Sequence, residues 1–364
     1  MTTQNNSGID TNKGSSCSRI AYNWAKQTFA NRMYEPGEIR QRIDGSYATM
    51  LDFNGVKIGI SSDGIGTKIE VAERTGIYDT LGFDLVAMTV DDLAANGFAP
   101  TSLSNILDVD ILDNSIVDHL MKGLCDAANF SKIAITGGEI AELGNRIGGF
   151  GDKMHFNWCA TGIGVLHKNL SETIDGSLII EGDIIISVRN PGFRSNGFSL
   201  LRKILTENYG KEWHKKSFDV NSTWGEVALT HCLIYAPIIT KLLDNNIAVH
   251  GIAHITGGGV VDNLGRLLKI NKKGAILDNV FEPDEAVKEL IRLGHVSMAK
   301  AYRYWNMGNG LLIVVPGDYL NEALNLINGD QSYQAQSAGK VIEDYKIEIE
   351  LHEQRFIYTD LGVK

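Results

Sequence analysis

The chain has 364 residues, 43% hydrophobic and 21% charged, with a formal net charge of −10. That length and balance fit a globular protein of about two domains. The acidic surplus argues against nucleic-acid binding, which needs a basic face, yet it leaves room for a phosphorylated small molecule held through Mg2+ and local donors. Four cysteines, Cys17, Cys125, Cys159 and Cys232, are widely spaced, with no CxxC pair and no H-E-x-x-H run. A zinc site is not expected, and a reducing cytoplasm is. The opening residues from Met1 to Ser7 are polar, without the apolar core of a secretory signal. Apolar runs such as Leu311–Val315 are far too short to span a bilayer.

In chain order, residues 1 to about 18 are rich in Ser, Asn, Thr and Gly and read as mobile. Residues 19–34, around Ile20, Trp24 and Phe29, read as a helix or a segment that orders on a partner. Between Ala48 and Ser61 two strand patterns flank Phe53-Asn54-Gly55, whose Asn-Gly is a strong hairpin signal. Val56, Ile58 and Ile60 alternate with Lys57 and Gly59, the period of a half-buried strand.

That strand runs into Ser62-Asp-Gly-Ile-Gly-Thr-Lys68. Asp63 would stand at the strand end, where a chain can present a metal ligand. Gly64 and Gly66 let the backbone turn close to a ligand. Thr67 can cap the next helix, and Lys68 can meet an anion at its N-terminus. Such hardware suits Mg2+ and polyphosphate without being a Walker A loop, since no G-x-x-x-x-G-K-[ST] occurs. Taken alone, the run is equally a glycine-rich turn with an incidental carboxylate.

Asp79–Gly97 reads as a long helix whose stripe includes Leu81, Leu85, Met88 and Leu93, stopped by Gly97. Asp84 is expected on its solvent face. Asp91 and Asp92 are expected to be functional, because carboxylates among apolar neighbours need a partner or a metal. Ile133–Ile135 reads as a short buried strand leading into Thr136-Gly-Gly-Glu-Ile-Ala-Glu142, another carboxylate run after glycines. Ala160–Leu166 is a further strand, and 167–182 a connection to a second domain. There, Ile184–Val188 is a strand, followed by the loop Arg189–Gly197 and a helix Phe198–Leu205 that Ser195 or Asn196 can cap. The same order recurs at His254-Ile-Thr-Gly-Gly-Gly259 and the helix Val260–Leu268, where the glycines suit an anion nest. Gly310–Pro316 is a strand, Tyr319–Ile327 a helix, and Lys340–Leu351 one long strand or two short ones. Strands alternating with helices make the chain α/β or α+β.

Six ordered blocks between about residues 45 and 345 carry a resemblance. They are Asp63–Lys68, Asp79–Met88 with Asp92, Gly137–Glu142, Ser195–Ile204, His254–Gly259 and Tyr302–Gly308. In these blocks the chain resembles the phosphoribosylformylglycinamidine cyclo-ligases, the aminoimidazole ribonucleotide synthetase family. The resemblance implies an α+β, two-domain subunit in a homodimer whose N-terminal strands form a barrel-like interface. It divides the chain into an extension (1–44), an ATP/Mg2+ and dimerisation domain (45–168) and a C-terminal domain completing the substrate site (169–364).

It also implies ATP-dependent closure of an imidazole ring on a phosphorylated ribonucleotide, with Mg2+ and with K+ as a candidate monovalent ion. Asp63, Gly64, Gly66, Thr67, Lys68, Asp91, Asp92, Gly137, Gly138 and Glu139 become candidate ATP contacts, with Asp63, Asp92 and Glu139 as metal ligands. Glu139 and Glu142 are candidates for metal contact or proton handling. Ser195, Asn196, Gly197, Thr256, Gly257, Gly258 and Gly259 become candidate substrate contacts. Lys68, His254 and Arg194 are the candidate catalytic side chains, with Arg194 able to bind phosphate.

The chain departs from the family pattern at three places. It has Arg194 where His is common, Asp91 where Asn is common, and Gly45-Ser-Tyr-Ala in place of a Gly-Gly-x-Gly-Gly run. Competing readings are a small-molecule kinase or synthetase of the same superfamily, such as thiamin-phosphate kinase, and a nucleotide-binding homologue without turnover. His119, His167, His214, His231 and His352 are expected at the surface or at caps, and Cys17 is expected to be inert.

Overall fold

The computed structural model describes residues 11–40 and 46–361. Residues 1–10 of the segment expected to be mobile, and Gly45 of the altered glycine run, lie outside the described residues. Thr11–Gln27 form helix α1, so the first helix starts earlier than the sequence pattern suggests.

Two sheets organise the chain. The first contains β1 (Glu38–Ile39), β2 (Thr49–Phe53), β3 (Val56–Gly64), β4 (Phe98–Val109), β5 (Ala134–Glu142) and β6 (Phe156–Leu166), in the order β1-β2-β3-β6-β4-β5. The β2–β3 hairpin turns at Asn54 and Gly55, both left-handed at φ 56° and 98°, as a two-residue Asn-Gly hairpin requires. Among the described strands of this sheet only β4 and β5 pair in parallel, and helix α4 (Asn114–Ser131) supplies the crossover that a parallel pair needs. Helices α2 (Ile69–Thr75) and α3 (Leu81–Ala95) connect β3 to β4.

The second sheet contains β7 (Ile184–Arg189), β8 (Gly251–His254), β9 (Gly274–Leu277), β10 (Asn309–Val315), β11 (Ala335–Ile342), β12 (Ile347–Leu351) and β13 (Gln354–Tyr358), in the order β13-β12-β9-β11-β7-β10-β8. Around it lie α5 (Phe198–Tyr209), α6 (Trp224–Ala228), α7 (Ala236–Asp244), α8 (Gly259–Asn271), α9 (Glu285–Leu293), α10 (Met298–Tyr304) and α11 (Leu320–Asn328). The arrangement is α+β, and both sheets are open.

The region around Ile133 differs from its sequence expectation. It is not a short buried strand before a loop. Gly137, Gly138 and Glu139 lie inside the nine-residue β5, which is exposed along almost its whole length. β5 is an edge strand with β4 on one side only, so its isoleucines, Ile135 and Ile140, stay open to solvent. Likewise β6 begins at Phe156 rather than near Ala160.

α3 is the element that positions the site. Thirteen of its 15 residues are buried. One side packs on β3, β4 and β6, and another meets α7 and β8 of the second unit. Its approach to α4 depends on glycine, because a Cβ at Gly82 would overlap the backbone of Gly123. Gly82→Val should therefore destabilise the fold by about 3 kcal/mol through overpacking. Urea unfolding should show a lower midpoint with an unchanged slope, and an unshifted midpoint would refute this contact.

Candidate functional site

Three carboxylates of α3 reach across to the second unit. Asp84 is completely buried, not on the solvent face as the helical pattern suggested. It pairs with Lys68 at 2.8 Å, and its Oδ1 accepts the Cys232 amide at 2.9 Å. Lys68 is also fully buried and donates to the Thr230 carbonyl at 2.8 Å. Its ammonium therefore holds the fold instead of facing a phosphate. A buried ammonium of this kind persists because a carboxylate and a carbonyl both meet it.

Asp91 is buried as well. Its Oδ1 accepts the amides of Tyr235 at 2.7 Å and Ala236 at 2.8 Å, at the start of α7. A carboxylate suits the positive end of a helix dipole. Asp91 thus closes the seam between the units and does not reach outward as the expected ATP contact. Burial pushes its carboxyl up, while His254 and Arg194 pull it down.

Arg194 corrects the sequence reading most sharply. It is 1% exposed and stands in left-handed backbone at φ 58°. Nη1 donates to Asn190 Oδ1 at 3.2 Å and to the Leu233 carbonyl at 3.1 Å. Nη2 lies 2.5 Å from His254 Nε2 and 3.5 Å from Asp91 Oδ2. No surface is left on which it could bind a substrate phosphate.

A guanidinium can only donate, so His254 Nε2 accepts and the ring proton sits on Nδ1. Nδ1 then donates to Asp92 Oδ1 at 2.8 Å. Arg194, His254 and Asp92 form one directed chain ending at a carboxylate that keeps some solvent contact. Burial and the Arg194 charge hold the imidazole down to about 3. Burial pushes Asp92 up to about 8, against the opposing charges of Arg266 and Arg194.

Asp63 ends β3 with its side chain accessible, and its Oδ1 accepts the Gly64 amide at 2.7 Å. Surrounding protein raises its carboxyl to about 6, opposed by the Gly64 amide and assisted by the Asp92 charge. Gly66 and Thr67 are exposed beside it. Thr67 does not cap α2, since the capping position is Lys68 without a side-chain bond.

Glu139 is not brought to these carboxylates. Asp63 pairs with Ala160, Ala160 with Asn105, and Asn105 with Gly138. Gly138 therefore lies three strand spacings from Asp63, roughly 14 Å. Among the described residues no three His, Cys, Asp or Glu side chains gather as a metal site. Within one chain, Glu139 cannot share an ion with Asp63.

The two candidate substrate loops do meet. A Cβ on Gly257 would lie 3.5 Å from Asn196 Oδ1. Ser195 faces inward, with Oγ 3.4 Å from Cys232 Sγ, and the cap of α5 is Gly197 at φ 78° rather than Ser195 or Asn196. A side chain at Gly197 would collide with the Trp305 indole, and one at Gly259 with the Tyr302 backbone. Thr256 is half-buried, and Gly258 caps α8 at φ 94°. Of the histidines expected at the surface or at caps, His167 and His214 are buried, and His167 Nδ1 accepts the Asn169 amide at 3.3 Å.

Three residues escaped the sequence reading. Asn263 donates to the carbonyls of Gly257 at 3.2 Å and Gly259 at 2.8 Å, holding the triple-glycine turn. The Tyr47 hydroxyl lies 3.3 Å from Asn263 Oδ1. Arg266 lies over the Tyr47 ring at 4.7 Å. The available signal was the spacing of Gly259, Asn263 and Arg266, which falls on one helix face.

Comparison with known proteins gives consistent matches. The description "AIR synthase related protein, N-terminal domain" matches residues 45–165, and its C-terminal counterpart matches residues 181–352. A phosphoribosylformylglycinamidine cyclo-ligase from Thermococcus kodakarensis is 35% identical over 96% of this chain and 98% of its own. One from Pyrococcus horikoshii is 34% identical over 94% and 96%. Among solved structures, a HypE–HypF complex superposes with a TM-score of 0.62 at 18% identity, covering 85% of this chain and 92% of that one. A thiamine-monophosphate kinase from Stenotrophomonas maltophilia gives 0.61 at 14% identity, covering 89% and 95%. These last two likenesses speak for the fold alone.

Arg194→Met would leave Asp91 Oδ2 without a cation and His254 Nε2 without its donor. The variant should lose roughly 3–5 kcal/mol of stability, the cost of breaking a buried charge pair. Denaturant titration measures this, and a loss below about 0.5 kcal/mol would mark an ordinary surface position instead.

Proposed function

The chain belongs to the phosphoribosylformylglycinamidine cyclo-ligase family, and from that premise we propose how its residues carry out the family's reaction. The protein is an ATP-dependent ligase that converts formylglycinamidine ribonucleotide to aminoimidazole ribonucleotide in purine biosynthesis. The observation that carries the site assignment is convergence. Asp63 and Asp92 of the first unit, His254 of the second and the paired glycine loops of the second face one seam.

The chemistry asks for positioning more than for covalent help. An amide oxygen is a poor leaving group. Phosphoryl transfer from ATP to the formyl oxygen converts it into a phosphate ester of the imidic acid. The neighbouring amidine nitrogen then attacks that carbon, the C–O bond breaks, phosphate leaves, and the nitrogen sheds its proton. Loops 195–197 and 256–259 hold the ribonucleotide. His254 orients Asp92 through Nδ1–H and is not the proton acceptor, because its other nitrogen is occupied by Arg194.

Asp63 and Asp92 fit a hard divalent ion. Both carboxyls are raised chiefly by burial, and the Asp92 charge adds to the cost of ionising Asp63, so a hard cation between them would be favoured. Mg2+ held there would neutralise nucleotide phosphate oxygens, which would complete its shell together with water. Lys68, Asp84 and Asp91 act at one remove, by fixing the seam.

We assign residues 45–168 to the nucleotide and dimerisation function and 169–364 to the substrate loops. On one face of the first sheet, Ile106, Ile163 and Val165 are exposed, an apolar face that a second copy would cover in a homodimer. All four cysteines are free, which suits the cytoplasm. No helix among the described residues is long and apolar enough to cross a membrane.

Asp63→Asn should lower turnover by on the order of 1,000-fold, the loss of a Lewis-acid contact, with an unchanged far-ultraviolet circular dichroism spectrum. Near-parent activity at limiting Mg2+ would remove Asp63 from the metal site. For the assembly, sedimentation at micromolar concentration should give about twice the 39.9 kDa of one chain. A monomer there would rule out the homodimer and its apolar interface.

A further inference from the structure

The sequence offers Lys68 and Arg194 as cations for the site, and both are sealed inside on Asp84, Asp91 and His254. What faces the seam is then two carboxyls, Asp63 and Asp92, in a protein whose substrates are phosphorylated. Arg266 is the cation placed to change that balance. It lies on α8 and is exposed. Its guanidinium carbon stands 4.7 Å from the centroid of the Tyr47 ring. Among the described residues it makes no hydrogen bond and no ion pair with a protein group.

The shelf under it is fixed. The Tyr47 hydroxyl is 3.3 Å from Asn263 Oδ1 and 3.5 Å from the His254 carbonyl. Asn263 is in turn tied to the Gly257 and Gly259 carbonyls. The unpaired fork is thus registered against the triple-glycine turn and against the end of the Arg194–His254–Asp92 chain. Its charge is felt at the site, since it is the largest opposing influence on the raised Asp92 carboxyl. A flat guanidinium held on an aromatic face, with its donors unspent, is the geometry that takes an anionic oxygen pair in two parallel hydrogen bonds.

We infer that Arg266, seated on Tyr47, is the phosphate-binding residue of this site, gripping phosphate oxygens brought in by a substrate. The inference rests on the ring-closing reading for the identity of those substrates. Two of them carry the chemistry: the 5′-phosphate of the ribonucleotide and the terminal phosphate of ATP.

The experiment compares the full-length parent with Arg266→Met, Arg266→Lys and Tyr47→Leu. Each is assayed for aminoimidazole ribonucleotide formation with one substrate varied at a time. Each is also titrated calorimetrically with inorganic phosphate and with a non-hydrolysable ATP analogue. Arg266→Met should raise KM for one substrate by about 10- to 100-fold, the worth of charge-assisted hydrogen bonds. Its thermal midpoint should not move. Arg266→Lys should recover part of the loss, and Tyr47→Leu should show a smaller effect of the same kind, about 3-fold. A rise confined to the ribonucleotide assigns the 5′-phosphate, and one confined to ATP assigns the nucleotide.

Arg266→Met with both KM values and both titrations within twofold of the parent would overturn the inference, leaving Arg266 a solvated surface residue. A lowered midpoint without recovery by Lys would overturn it in favour of a structural role. A parent that makes no product would overturn the ring-closing reading instead. Arg266 would then stand or fall on the two titrations alone.

Discussion

The structure depends on carboxylates buried in a helix that both units share. Ionised Asp84 and Asp91 inside an apolar seam would cost several kcal/mol each if left unpaired. Each is answered from the second unit. The 230–236 stretch brings the Thr230 carbonyl to Lys68 and the amides of Cys232, Tyr235 and Ala236 to the two aspartates. Charge-assisted hydrogen bonds of this kind contribute about 1.5–3 kcal/mol apiece. They also have direction, which apolar packing lacks. The seam is therefore fixed in register as well as in depth, and Asp92, next along α3, is delivered to His254 without adjustment.

That arrangement separates two uses of charge. Inside the seam, cations and anions cancel pair by pair, and none is free for a ligand. At its mouth stand two carboxyls, Asp63 raised to about 6 and Asp92 to about 8, which a bound cation would ionise fully. Two carboxyls give a polyphosphate nothing to hold unless positive charge arrives with it or waits nearby. Mg2+ answers the first need and an exposed guanidinium the second. The division explains why a chain of net charge −10 can handle phosphorylated substrates without a basic surface.

Periodicity and turn chemistry made much of the fold legible. The Asn54-Gly55 hairpin, α3, β7, β10 and the helices after the two glycine loops all carry strong local signals, and all are present. Ile133–Ile135 looks like a buried strand from its isoleucines, whereas β5 is an edge strand, which exposes what a central one buries, and Ile135 stays open to solvent. α4 and α7 carry no motif that marks them in the sequence, although Asp113 caps α4 through the amides of Ser115 and Ile116. The site was legible as a set of loops and carboxylates. Which cation faces outward was not, because sequence gives a lysine or arginine no direction. Lys68 and Arg194 turn inward because partners separated by 16 residues in one case and by more than 100 in the other await them.

Two of the departures from the family pattern, Asp91 and Arg194, prove to be neighbours in space. Nη2 of Arg194 lies 3.5 Å from Oδ2 of Asp91, the oxygen not occupied by the α7 amides. A carboxylate at position 91 adds a buried negative charge that the two amides alone would answer only in part. A guanidinium at position 194 supplies the compensating charge and also a donor for His254. It is held in left-handed backbone, a conformation that costs about 1 kcal/mol or more and persists only where the surroundings over-determine it. The pair therefore acts as one unit in the seam. With the guanidinium on Nε2, the imidazole keeps its proton on Nδ1, the nitrogen facing Asp92.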